Sequence, residues 1–85
     1  MAFSSEDVLS KFQVIAAELL GVDAGSVSRE SNLVEDFDAD SLDLVEMSLN
    51  AQEAFGVTIP KEALPDLVTV GDAVDYVFTR LPEQA

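Results

Sequence analysis

Glu35-Asp36-Phe37-Asp38-Ala39-Asp40-Ser41-Leu42-Asp43-Leu44-Val45-Glu46-Met47 decides how this chain is read. Six carboxylates and no base surround one serine where a helical pattern begins. Asp40 is a good N-cap residue, and the acids before and inside the first turn suit the positive end of a helix dipole. The spacing predicts a helix from Ser41 to Phe55, ended by Gly56.

That helix is not a simple amphipath. At about 100° per residue, Leu44, Met47, Ala51 and Phe55 fall on one side. Leu42, Val45 and Leu49 fall on nearly the opposite side, next to Glu46 and Glu53. Burying those two glutamates without partners would cost several kcal/mol each. The Met47/Phe55 side is therefore expected to be the core, leaving Leu42, Val45 and Leu49 as an exposed apolar strip edged by acids. Monomers rarely expose such a strip without a use, and greasy contacts ringed by charge suit a docking surface. The alternative is a central helix buried on both sides.

Upstream, Ser4 and Asp7 have capping-box spacing. Val8, Phe12, Ile15 and Leu19 then recur at helical intervals up to Gly21. Residues 21–40 lack a sustained period. Val22, Val27, Leu33, Val34 and Phe37 are spaced apolar anchors among turn-forming Gly, Ser and Asn, so a long pinned connection is expected, with room for one short helical turn. Downstream, Pro60 opens a brief helical turn through about Leu64, which Pro65 stops. Thr69-x-x-Asp72 is a second capping-box pattern; Val70, Val74, Val77 and Leu81 follow at helical spacing, and Pro82 ends that helix. The expected fold is all-α: one domain over residues 1–85, a small four-helix bundle of three longer helices plus one short one.

Composition narrows the function. Cysteine and histidine are both absent, which excludes disulfides, thiolate and imidazole metal sites, and Ser-His or Cys-His nucleophile pairs. Seventeen acids against four bases give a net charge of −13. Between Arg29 and Lys61 there are eight acids and no base. Nucleic acid and anionic lipid would repel such a surface, whereas proteins with basic patches would be steered toward it. No apolar run reaches the roughly 18 residues of a membrane span, and no export or organelle signal is expected in this stretch unless one has been removed. A cytoplasmic monomer is expected.

Asp36, Asp38 and Asp40 match positions one, three and five of an EF-hand loop. The pattern then fails, because Ser41 stands where Gly is required and Met47 where a bidentate Glu is required. No metal site is expected. Ser41 has no base of its own, so it is not an activated nucleophile. It is a good acceptor for a group installed by another enzyme, and a phosphodiester there would meet free N–H groups at the helix start. The plainer role is a capping hydroxyl.

Asp40-Ser41-Leu42-Asp43 followed by Val45-Glu46 resembles the signature of acyl carrier proteins. Leu20-Gly21-Val22, Val34-Glu35-Asp36-Phe37, Phe55-Gly56-Val57-Thr58-Ile59-Pro60, Thr69-Val70-Gly71-Asp72 and Asp75-Tyr76-Val77 follow that family's order and spacing. The resemblance implies a non-catalytic carrier. Ser41 would take a 4′-phosphopantetheine arm from coenzyme A through a separate Mg²⁺-dependent phosphopantetheinyl transferase. The arm's thiol would hold acyl groups as thioesters for type II fatty acid synthesis, or alternatively for a polyketide pathway. A bare acidic adaptor without the arm is the remaining alternative. The family's partner-recognition helix maps onto Asp40, Leu42, Asp43, Val45, Glu46, Leu49 and Glu53. Phe37, Leu44, Met47, Leu64 and Leu67 are candidates for lining an acyl pocket. Two departures stand out: Asp38 replaces a frequent Gly, and Asn50, Gln52 and Ala54 leave Glu53 alone in the second half of the helix.

Overall fold

The computed structural model describes residues 3–81. Ser4 approaches its helix in extended backbone. Its hydroxyl accepts the Asp7 N–H at 3.1 Å while the Asp7 carboxylate accepts the Ser4 N–H at 3.0 Å. This reciprocal cap starts α1 (Ser5–Leu20), and Gly21 ends it at φ 71, a left-handed conformation open to glycine at little cost. The same device starts α2 (Ser41–Phe55) at Asp40/Asp43 and α3 (Val70–Arg80) at Thr69/Asp72. Gly56 closes α2 at φ 68. The position expected to end the last helix, Pro82, lies outside the described residues; α3 runs to Arg80.

Two 3-10 segments join these helices, at Ala24–Ser26 and Lys61–Asp66. The fourth helix of the bundle is therefore a 3-10 helix, and Pro65 lies inside it instead of stopping it. A 3-10 backbone has the φ that a proline ring imposes, and in so short a segment the missing donor costs little.

One core holds the elements together. Val8, Phe12, Ile15 and Ala16 of α1 face Met47, Ala51 and Phe55 of α2 and Val70, Ala73, Val74 and Val77 of α3. Each large side chain buried there contributes about 1.5–3 kcal/mol. Phe55 stacks on Phe12 with ring centroids 6.0 Å apart and meets Phe3 edge-on at 5.2 Å. No helix among the described residues is long and apolar enough to cross a membrane.

The long connection is pinned to α3. Ser31 O accepts the Val70 N–H at 2.9 Å, Arg29 O accepts the Gly71 N–H at 2.8 Å, and Leu33 N–H donates to Val68 O at 3.1 Å. Arg29 also pairs with Asp75 at 2.6 Å. Val27 and Leu33 are buried as expected of anchors, whereas Val34 is 52% exposed. In the turn they share, Leu33 takes the buried side and Val34 faces solvent.

Candidate functional site

The last part of that connection delivers Ser41. Asn32 acts as a miniature cap: its side-chain oxygen accepts the Val34 and Glu35 N–H groups at 3.0 and 2.9 Å. Asp36 returns the favour by accepting the Asn32 N–H at 2.7 Å. The chain makes one helical hook, with Asp36 N–H to Asn32 O and Asp38 N–H to Val34 O, both at 2.9 Å. It leaves the hook at Asp38 with φ 58, the only positive φ of a non-glycine residue among those described. Aspartate tolerates this conformation better than most residues, at a cost on the order of 1 kcal/mol. Ala39, buried beneath, then leads straight into the cap of α2.

At that cap the two roles considered for Ser41 separate. Asp40 is the N-cap residue: its carboxylate accepts the Asp43 N–H at 2.9 Å, and Asp43 accepts the Asp40 N–H at 3.2 Å. Ser41 is the first helical residue and is exposed. Its hydroxyl makes no hydrogen bond among the described residues. It opens on a groove of about 250 Å³ lined by Ser41, Leu44, Val45, Lys61, Leu64 and Pro65.

The outer face of α2 carries the predicted strip. Leu42 is 67% and Leu49 54% exposed, while Val45 is half-buried against the groove. Glu46 and Glu53 are exposed beside them. Asp40 and Asp43 stand at the start of the same helix, each with one carboxylate oxygen accepting a backbone N–H in the cap. Among the described residues no cluster of three or more acids could hold a metal ion.

Behind the groove lies an interior cavity of about 30 Å³ with an almost wholly apolar lining. Leu44, Met47, Leu64 and Leu67 line it, as does Ile59 from the segment after α2. Phe37 does not. Its ring packs half-buried against the core from the hook before α2, on a side that does not reach the cavity. Ser48 lines the cavity and was not anticipated; its hydroxyl donates to Val45 O at 2.7 Å, which satisfies it inside the helix. The sequence signal for it was present, since Ser48 lies one turn after Leu44. Leu44 and Leu64 border both the groove and the cavity, so they form the partition between Ser41 and the interior.

Comparison with known proteins agrees with this geometry. The family described as "Phosphopantetheine attachment site" matches residues 10–77. The chain is 50% identical over 72 residues to the acyl carrier protein of Rubrobacter xylanophilus, covering 85% of this chain and 89% of that one. It is 43% identical over 77 residues to the acyl carrier protein of Thermobifida fusca, covering 91% and 98%. Among solved structures it superposes on the acyl carrier protein from Enterococcus faecalis with a TM-score of 0.78 at 32% identity, over 92% of this chain and 99% of that one. The chain belongs to the acyl carrier proteins, carriers of 4′-phosphopantetheine that perform no catalysis themselves.

Proposed function

We propose that Ser41 is the attachment point of the arm and that the chain presents acyl groups to the enzymes of type II fatty acid biosynthesis, as a cytoplasmic monomer of one domain. The observation that carries this reading is the division of labour at the start of α2. Asp40 does the capping, which leaves the Ser41 hydroxyl exposed and unengaged. A serine needed for the fold would not be so free.

The groove suits the group. A phosphodiester needs donors and positive potential, and the start of α2 offers both. Leu44, Val45, Leu64 and Pro65 offer an apolar wall to the hydrocarbon part of a pantetheine. When bound, the group supplies a terminal thiol that holds acyl chains as thioesters; a chain with no cysteine offers no competing thiol. Ser41 provides only an oxygen. No histidine stands on this chain to take its proton, so that base belongs to the separate transferase.

The apolar lining of the interior cavity favours plain aliphatic cargo, which supports the fatty acid reading over a polyketide one. Leu44, Met47, Leu64 and Leu67 would receive the first carbons of that chain. Leu42, Val45 and Leu49, with Glu46 and Glu53 as steering charges and Asp40 and Asp43 at the rim, would meet basic patches on the transferase and on acyl-processing enzymes.

The test is an intact mass after incubation with coenzyme A, Mg²⁺ and a broad-specificity phosphopantetheinyl transferase. The wild-type chain is expected to gain one phosphopantetheine and Ser41→Ala none. A gain that survives in Ser41→Ala would move the attachment elsewhere, and no gain in the wild type would favour the bare adaptor.

A further inference from the structure

The chain has four basic residues, and three of them do not line the groove at Ser41. Arg29 is paired with Asp75 at 2.6 Å. The Arg80 guanidinium lies 3.7 Å over the Tyr76 ring. Lys11 is exposed on α1 and does not line the groove. Lys61 is different: it lines the groove with Ser41 and takes part in no ion pair within 4 Å among the described residues.

Its position is unexpected on charge grounds alone. Acids outnumber bases seventeen to four, so an exposed ammonium has many carboxylates to choose from. Lys61 instead lines one groove together with Ser41 and the apolar side chains of Leu44, Val45, Leu64 and Pro65. None of those walls can neutralise it. A lysine ammonium is a compact charge with three donors, well suited to a single anionic phosphate that approaches from varying angles.

We propose that Lys61 is the counter-ion of the phosphodiester at Ser41 and holds the root of the arm against the groove. This rests on Ser41 being the attachment point. Lys61 is then a positioning residue: it sets the direction in which the arm leaves α2, along Leu44 and Leu64 toward the interior. It also offsets the repulsion that a new negative charge meets from the acids around Ser41.

The test uses the loaded protein, with attachment first checked by intact mass. Side-chain carbon and nitrogen resonances of the lysines are then compared in the apo and loaded wild type, and the phosphorus resonance is compared among wild type, Lys61→Gln, Lys61→Arg and Lys11→Gln. Loading is expected to shift the Lys61 side-chain signals and leave those of Lys11 in place. The phosphorus signal should shift in Lys61→Gln, return toward the wild-type position in Lys61→Arg, and stay unchanged in Lys11→Gln. Failure of the wild type to load would sink this proposal together with the Ser41 assignment. Normal loading with Lys61 signals that do not move would overturn the counter-ion alone, and that measurement needs no variant. Lys61 signals that move only when a dicarboxylic cargo is attached would assign the ammonium to a cargo carboxylate, and would equally overturn it.

Discussion

Replacing Gly71 with alanine sets two effects of opposite sign against each other. In a helix, alanine is favoured over glycine by about 1 kcal/mol, so sequence alone would forecast a more stable protein. The structure reverses that forecast. A Cβ at Gly71 would stand 2.9 Å from Arg29 O and 3.3 Å from Arg29 Cβ. The oxygen is backbone and the Cβ is bonded directly to that backbone, which is fixed by the Gly71 N–H to Arg29 O and Val70 N–H to Ser31 O bonds. Neither atom is therefore the far end of a flexible side chain that could step aside. Relief requires the connection to lift off α3, which weakens one or two of these bonds at about 0.5–1.5 kcal/mol each and strains the Arg29–Asp75 pair. The first turn of a helix returns only part of the propensity gain. The net loss is about 1–2 kcal/mol, a fall in Tm of roughly 5–15 °C for a domain of this size. Thermal unfolding followed by far-UV circular dichroism measures it. Gly25→Ala is the control, since its Cβ would meet nothing closer than the Asp23 carboxylate at 3.6 Å; it should change stability by less than about 0.5 kcal/mol. If Gly71→Ala melts at or above the wild-type temperature, the connection yields freely and is not pinned as argued.

Asp72 gives a pH dependence of defined sign. The Thr69 N–H does most to hold its carboxyl below the ordinary value of 3.8; desolvation opposes it, and the Thr69 hydroxyl and Val68 N–H add to the lowering. A depressed folded-state value stabilises the fold fully above 3.8, and this is lost as pH falls below 3.8 and through the folded value. The stability advantage of wild type over Asp72→Asn should therefore be constant near neutrality and shrink in acid. Denaturant midpoints at a series of pH values check this, and an advantage that grows in acid would contradict it. On the outer face of α2, Leu49→Ser should leave the denaturant midpoint nearly unchanged, because Leu49 is 54% exposed. Acyl transfer to a partner enzyme should nonetheless slow about tenfold, or ~1.4 kcal/mol, the cost expected of losing an apolar anchor. Unchanged transfer rates would remove Leu49 from the docking face.

The helices were legible because their signals are local. Ser4/Asp7, Asp40 and Thr69/Asp72 mark each start, Gly21 and Gly56 two of the ends, and a period of 3.6 separates the core face of α2 from its outer strip. What escaped the sequence depends on contacts without a period. The hook at 32–38 is made by Asn32 and Asp36 reaching backbone groups, and nothing in the spacing of Val34 and Phe37 says which of them turns inward. Phe37 was offered as a pocket residue on the family resemblance, yet the hook carries its ring elsewhere. The close approach of Gly71 to Arg29 is invisible for the same reason, since a glycine early in a helix reads only as a weak helix former. Ser41 itself was conspicuous and Asp40 was the expected cap; the sequence left open only whether the Ser41 hydroxyl caps as well, which the Asp40 bond to the Asp43 N–H decides.

The 3-10 segment has a consequence for how the molecule can breathe. Three helices are locked at their starts by reciprocal side-chain caps, whereas Lys61–Asp66 has no side-chain cap and contains a proline that cannot donate. Resistance to swelling is therefore unequal around the bundle. A guest pushing outward from between Leu44 and Leu64 displaces the wall with the fewest bonds to surrender, and the other three sides can stay as rigid as an empty vessel's.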